Sequence, residues 1–553
     1  MFLSHLSTLE YVLFGISCAA LVEWFLFAVL VIGTFFNVMV NHDQHTSISL
    51  CFVVMVIYVI LRSLFLPFIL IGLFGSSDNL YGSFASFISW LPHLTRVAAI
   101  ILATWWNVIL IMPCITVWYS RSRYGIGNKP LGEKLKTDEE MLINTTGVGK
   151  TTFRYIVILP VYNETFQLLK EGILSILQSN YPPENIEIHI SFDSHERSEV
   201  YESILTHFGI YNARDYESVS TNYNGSTLFV HKFKHGGKRL TQHKTFTRIK
   251  ERFLKFSSSI NNLTTVQSLR GSGQLVDDYY SQLHPDEMGS EQLDPEQTII
   301  LLTDSDNYLY DNAIRNLTYN FNRNPKKLAF AGYMTCMSSG KNRFNFWKLI
   351  QDTEYVGGEM NSSFELMLGT INCLPGGFTA IRGQAMLKIA DIYFSDLPSE
   401  SITDYHRNYL GEDRFMTHIM HQNFPPYSIG FCPSTRCKTD PPASMFQYVK
   451  QRRRWLLGAI GNETYMLTDR SIWKQYKLLL LFKLFQLSWK GTTFGQIVIT
   501  IIAAQSWSSS KSNGIVWTNV EPFVISIAIP LGINWIVTSI TAVNLGRYKL
   551  WFH

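Results

Sequence analysis

Three apolar stretches, Tyr11 to Val40, Ser47 to Leu73 and Val97 to Tyr119, fill most of the chain before residue 120. Each is long enough to cross a bilayer, whose hydrocarbon core takes about 20 helical residues. No other feature limits the architecture so strongly, because backbone in lipid must satisfy its own polar groups and therefore be helical or barrel-forming. After a long polar middle, Phe523 to Val543 reads as another span. The stretch Leu478 to Trp507 is interrupted by Lys483 and Lys490, so its first half is expected to lie along the membrane surface. A content of 46% hydrophobic and 16% charged residues over 553 positions agrees with a membrane class. Glu23 and Arg62 fall inside spans, where facing a helix interface or snorkelling accounts for them better than a conducting pathway does.

Basic residues collect on the cytoplasmic side of short loops. The first ten residues carry none, whereas Arg121, Arg123, Lys129, Lys134 and Lys136 follow the third span and Arg547 with Lys549 ends the chain. The expected topology places the N-terminus outside and both the middle and the C-terminus in the cytosol, in a multi-pass protein of the plasma membrane. Three regions result: 1–119 with about three helices, a cytosolic domain over 120–477, and 478–553 with an interfacial helix and about two spans. The first apolar stretch lacks a basic leader and is too long for a cleaved signal. A net charge of +4 gives no reason to expect a nucleic-acid partner. Cys432 and Cys437 have no second ligand pair, so no zinc site is expected. Sequons at Asn144, Asn224 and Asn462 would be unmodified in the cytosol.

The middle begins as alternating strands and helices. Tyr155 to Pro160 is an apolar strand, a helix follows through Ile176, and Ile186 to Phe192 forms a second strand ending on Asp193. Thr227 to Phe233 and Thr298 to Thr303 supply two more, the last ending on Asp304. Such alternation predicts an α/β domain with a mixed, mostly parallel sheet, inserted between transmembrane helices, with ligands bound beyond the carboxyl ends of the strands. The polar stretch 257–297 reads as a surface insertion.

Asp304-Ser305-Asp306 follows a buried strand. Carboxylates at i and i+2 can share a divalent cation whose shell is completed by substrate phosphates, although the same pattern also makes ordinary turns. Glu412-Asp413-Arg414 opens a helix over Phe415 to His421. Its carboxylates could cap amides, or Asp413 could accept a proton from an attacking hydroxyl. Arg452-Arg453-Arg454 could attract anionic lipid, but the adjoining Trp455 offers a flat face for a pyranose while guanidinium groups pair with a diphosphate. Lys238-Arg239 follows Gly236-Gly237, which would let it approach a diphosphate closely.

Taken in order, Pro160-Val161-Tyr162-Asn163-Glu164, Asp193, Gly237-Lys238-Arg239, Asp304-Ser305-Asp306, Cys373-Leu374-Pro375-Gly376-Gly377-Phe378, Gly411-Glu412-Asp413-Arg414 and Gln451-Arg452-Arg453-Arg454-Trp455 form a series. This series resembles that of processive, inverting membrane glycosyltransferases, and most of all fungal chitin synthases; hyaluronan and cellulose synthases are more distant. The resemblance covers about Tyr155 to Tyr465. It implies a nucleotide-diphospho-sugar transferase fold, UDP-N-acetylglucosamine as donor, a growing β-1,4-linked chain as acceptor and Mg²⁺ or Mn²⁺ as cofactor.

Residue by residue, the resemblance implies a catalytic set of Asp413 as general base with Glu412 and Arg414. It places Pro160, Tyr162, Glu164, Asp193, Lys238, Arg239 and Asp304 on the donor, and Asp304 with Asp306 on the metal. Gly376 and Gly377 allow close approach of the acceptor, while Gln451, Arg454 and Trp455 form the acceptor entrance and diphosphate clamp. Membrane lipids are further partners, and homo-oligomerisation is left open. Other readings are a synthase of another β-linked polymer such as hyaluronan, and a catalytically reduced scaffold; a transporter is disfavoured by the lack of internal repeats. The chain departs from the fungal pattern by stopping at Trp551-Phe552-His553, before a further span and a tryptophan-containing segment, and Trp489-Lys490-Gly491-Thr492 does not replace it. Few spans remain to build a polar lumen, so the expectation is sugar transfer with poor translocation.

Overall fold

The computed structural model describes residues 152–194, 198–210, 218–260, 292–336, 346–395, 402–442, 444–484 and 528–544, with isolated positions between 21 and 118 and at 486. Contacts divide the chain into two units, 1–107 with 488–533, and 108–487 with 534–553. The second contains the sheet and the candidate site. The expected spans Tyr11–Val40, Ser47–Leu73 and most of Val97–Tyr119 and Leu478–Trp507 lie outside the described residues. Among the described residues no helix is long and apolar enough to cross a membrane.

Strand β1 (Arg154–Val161) is buried at every position but the first. A strand covered on both faces needs an unbroken apolar run, and Tyr155 to Leu159 supplies it. Helix α1 (Phe166–Leu177), capped by the Thr165 side chain, leads to β2 (Ile186–Phe192). Helix α2 (Glu199–His207) is capped in the same way by Ser198. The next two strands, β3 (Ser218–Tyr223) and β4 (Ser226–Lys232), form a hairpin turned by Asn224 and Gly225. Both turn residues have positive φ, 52° and 89°, as a two-residue turn matched to strand twist requires. The apolar pattern predicts only β4, and the Asn-Gly between the strands is the local signal of the hairpin.

Helix α3 (Lys238–Ile260) crosses back over the sheet to β5 (Thr298–Thr303) and the short β6 (Asn307–Leu309). Most of the expected insertion 257–297, residues 261–291, lies outside the described residues. The helix runs to Ile260, and Leu293 is already buried in the core, so both ends of 257–297 belong to the domain. Helix α4 (Ala313–Arg323), β7 (Ala329–Cys336), α5 (Phe346–Met367), β8 (Phe378–Arg382) and α6 (Gly383–Tyr393) follow. Then come α7 (Ile402–Tyr405), a π-helical turn His406–Leu410, α8 (Glu412–Asn423), β9 (Ile429–Thr439), α9 (Met445–Thr468), α10 (Arg470–Gln475), a helical stretch 477–484, and α11 (Ile529–Asn544).

The nine strands form one sheet in the order β3-β4-β2-β1-β5-β8-β7-β9-β6. Pairings β4–β2, β2–β1, β1–β5 and β7–β9 are parallel, and the other four are antiparallel. The mixed, parallel-rich α/β domain expected from the sequence is therefore present. Two apolar cores cover the faces: α1, α2 and α4 pack over residues such as Val157, Ile188 and Leu301, and α3, α6 and α8 pack over Ile156, Ile158 and Ile300. Each such fully buried aliphatic side chain contributes about 1.5–3 kcal/mol.

Under α3 the second core is interrupted by a polar cluster. Glu187 accepts from Arg154 at 2.9 Å and from Arg252, and pairs with His189 Nε2 at 2.8 Å. His189 Nδ1 meets His231 Nε2 at 2.9 Å, and His231 Nδ1 meets Ser218 Oγ and Arg248. The chain of donors fixes both imidazoles as neutral, since His231 Nδ1 must accept from Arg248 and His189 Nδ1 from His231.

Candidate active site

Strand β5 delivers Asp304 to the sheet edge, and the register of its antiparallel partner decides what lies beside it. Thr303 faces Phe378 of β8, so the loop carrying Gly376 and Gly377 runs past the acidic turn. Thr303 Oγ1 and Asn307 Nδ2 both donate to the Gly377 carbonyl. A Cβ on Gly377 would come within 3.2 Å of Asp304 Oδ2 and 2.8 Å of the Met334 sulfur; one on Gly376 would lie 3.1 Å from Lys238 Nζ. Glycine is needed here for space, because any side chain would fill the gap between this loop, the acidic turn and Lys238.

Lys238, at the start of α3, places Nζ 2.5 Å from Asp304 Oδ1 and 3.9 Å from Glu412. Burial opposes its charge, but Asp304 and Glu412 outweigh that and hold the ammonium above its ordinary range. Asp306 accepts from Thr439 Oγ1 at 3.3 Å, across the β6–β9 pairing. Its carboxyl is pushed up to about 7, first by burial and then by the charges of Asp304 and Glu164. Carboxylates crowded in this way are hard-oxygen ligands of the kind a divalent cation takes. Among the described residues no group of three or more acidic, histidine or cysteine side chains is arranged to hold a metal.

Asp413 opens α8. Its Oδ1 accepts from the Arg414 amide at 2.8 Å, which is part of the capping role weighed from sequence. The other oxygen accepts from the Cys373 thiol at 3.3 Å. Burial, followed by the Asp413 charge, raises that thiol well above its usual range, so it stays protonated and able to donate. Next to it, burial raises Glu412, with Asp413 adding and Lys238 and Arg454 opposing. Asp413, Arg414 and Cys373 line a cavity of about 450 Å³ together with Tyr333, Tyr355 and Trp455.

The arginine motif lies on α9 and faces two ways. Gln451 and Arg454 line a second cavity with Lys450 and Arg453, whereas Arg452 bends to Glu354 of α5 through Nε at 2.7 Å and Nη2. Its guanidinium also stacks 4.2 Å from the Trp455 ring. Glu354 lies in the segment Gln351 to Tyr355 that resembles the fungal enzymes, but its pairing with Arg452 is visible only from its place on a neighbouring helix.

A scan of families matches the model described as chitin synthase over residues 290–551. Chitin synthase 7 of Verticillium dahliae is 27% identical over 547 residues, covering 97% of this chain and 69% of that protein. Chitin synthase G of Aspergillus niger is 31% identical over 418 residues, covering 73% of this chain and 49% of its own length. The chain belongs to the chitin synthase family. It spans about half to about two thirds of the length of its curated relatives. Among solved structures, a mannosyltransferase of Pyrobaculum calidifontis in complex with GDP-Man and Mn²⁺ aligns over 83% of this chain and 99% of its own, at 13% identity and a TM-score of 0.41.

Within this chitin synthase family domain, the motif residues are distributed unequally. Lys238, Asp304, Gly376, Gly377, Glu412 and Asp413 converge on one centre. Pro160 and Tyr162 stand at and just beyond the end of β1, and the Tyr162 amide donates to Glu164 at 2.8 Å. The Tyr162 ring stacks on His235 at 5.2 Å, an exposed aromatic pair that sequence reading did not anticipate. Asp193 is spent on the following turn, accepting from the amides of Gly236 and Gly237 and from Thr241 and His235. It shapes the turn that presents Lys238, and Gly237 there has φ of 87°. Arg239 departs from the substrate role expected of it. Its guanidinium donates to the carbonyls of Tyr393 and Ser395 and lies over Tyr393 and Phe415, tying α3 to α6 and α8.

Proposed function

We propose that this domain transfers N-acetylglucosamine from UDP-N-acetylglucosamine to the end of a β-1,4-linked chain, with inversion, as a membrane-bound chitin synthase. One observation carries the reading: a carboxylate, Asp413, opens onto a cavity walled by Tyr333, Tyr355 and Trp455, and a Cβ on Gly376 would lie 3.7 Å from its Cβ and 3.1 Å from Lys238 Nζ. Aromatic faces suit pyranose rings. Asp413 accepts the proton of the acceptor hydroxyl as its oxygen bonds to the anomeric carbon, while the bond from that carbon to the diphosphate breaks. The leaving charge falls to Lys238 and Arg454. Asp304 and Asp306 would hold Mg²⁺ or Mn²⁺, which when bound neutralises diphosphate charge. Tyr162 and His235 offer a stacking platform at the donor side.

A uronate-bearing polymer such as hyaluronan suits the site less well. The cavity lining carries Glu354, Glu359, Glu365, Asp413 and Glu463 against Arg414 and Lys483, so an anionic chain would meet excess negative charge. The deciding experiment incubates detergent-solubilised full chain with a panel of radiolabelled UDP-sugars and digests the product with linkage-specific enzymes. Chitinase-sensitive polymer from UDP-N-acetylglucosamine is expected. Incorporation of another sugar instead, or none from any donor, would sink the reading.

A further inference from the structure

One short loop holds Asp413 by its main chain and by its side chain. The loop lies between α5 and β8, and its Ile371 and Leu374 are fully buried in the same core as Phe415, Met416 and Ile419 of α8. The Leu374 amide donates to Thr417 Oγ1 at 2.8 Å, and that hydroxyl donates to the Asp413 carbonyl at 2.8 Å. Between the two buried aliphatic residues, half-buried Cys373 lines the same cavity as Asp413 and donates its S–H to Asp413 Oδ2 at 3.3 Å.

A carboxylate offers about four acceptor positions on its two oxygens. On Asp413 the Arg414 amide takes one at Oδ1 and the thiol takes one at Oδ2. Both donors ride on packed backbone, so the carboxylate is restrained about its Cβ–Cγ bond while each oxygen can still accept from a substrate hydroxyl. Without the thiol, the amide of the next residue would restrain it alone. The thiol is a lasting donor, since burial and then the Asp413 charge keep it protonated. The entry to the loop is braced as well. The Asn372 N–H donates to Glu365 Oε2 at 2.8 Å, and Glu365 Oε1 pairs with Lys483 Nζ at 2.5 Å, both side chains being buried. Lys483, expected from the sequence to interrupt a span, is instead the cation of a buried pair.

We propose that Cys373 is a positioning residue acting through Asp413, its S–H holding Oδ2 in the orientation from which the carboxylate takes the acceptor proton. This rests on reading Asp413 as the general base. An orienting contact to the base serves the chemical step, so its loss falls on kcat and leaves the binding of either substrate largely unchanged.

The test uses the solubilised full chain with UDP-N-acetylglucosamine and chitotetraose, each varied in turn. Cys373→Ala and Cys373→Val, which both remove the donor but differ in size, should lower kcat about ten-fold with both KM values within about two-fold of the parent. Cys373→Ser restores a donor and should bring kcat back to within about three-fold of the parent. In an Asp413→Asn background, Cys373→Ala should cost less than about a further two-fold, because the two residues act as one unit. A kcat within about two-fold of the parent in both the alanine and valine variants overturns the inference and leaves the proposed activity standing. So does a serine variant no better than alanine, or a further loss of about ten-fold on Asp413→Asn. Parental turnover in Asp413→Asn alone overturns the base, and this inference with it.

Discussion

The side-chain amide of Asn462 donates to the carbonyl of Gly411 at 2.9 Å, joining the arginine-motif helix to the turn that presents the candidate base. It donates equally to the Gly458 carbonyl. A Cβ on Gly458 would lie 2.6 Å from the Leu410 carbonyl oxygen, so the two motifs touch backbone to backbone. Gly458→Ala should therefore push α9 from α8 and lower transfer about ten-fold or more, because a misplacement of about 1 Å is costly at a reacting centre. Near-normal turnover with unchanged circular dichroism would show that this contact does not set the geometry.

Asp413→Asn keeps the shape and loses the basicity. Transfer should fall by ~10²-fold or more while UDP-sugar binding is retained. A variant with more than about a tenth of parental turnover would remove Asp413 from the role.

Chelation tests the acidic turn. Excess EDTA should stop transfer and either Mg²⁺ or Mn²⁺ should restore it, since hard carboxylate oxygens prefer such ions. Asp306→Asn should raise the metal concentration needed for half-maximal activity. Full activity in the chelator would exclude the metal.

Arg452 holds Glu354 with two donors of one planar fork, a geometry that lysine cannot copy. Arg452→Lys should thus lower transfer about ten-fold, close to Arg452→Ala, through release of Trp455. A lysine variant with parental activity would show that charge alone suffices.

The buried His189–His231 pair gives the fold an acid limit. Burial lowers His189 and lowers His231 further, with Arg248 adding in both cases. The unfolded chain then binds protons that the folded one refuses, so stability is full above the unfolded value of about 6.5 and declines as pH falls below it. The melting temperature should drop between about pH 7 and about pH 5, and His231→Asn should flatten that slope while lowering the plateau. Equal slopes in both proteins would acquit the pair.

Much of the site was written in linear order. Strands β1 and β5 are nearly continuous apolar runs, β2 alternates, and the acids at their ends were legible because period and position are local properties of a sequence. The Asn224-Gly225 hairpin is equally a local signal. What the sequence could not decide was which motifs meet and which residues of a motif face the site. The arginine run looks uniform on paper, but helical geometry turns Arg454 to a cavity and Arg452 to Glu354. Arg239 sits beside Lys238 in sequence and is carried by one step of a helix into a structural contact. Lys483 read as a flaw in a membrane span until packing supplied Glu365, more than a hundred residues away. Apolar pattern is fixed by neighbours along the chain. The partner of a buried charge is fixed by neighbours in space, and only the tertiary structure brings those together.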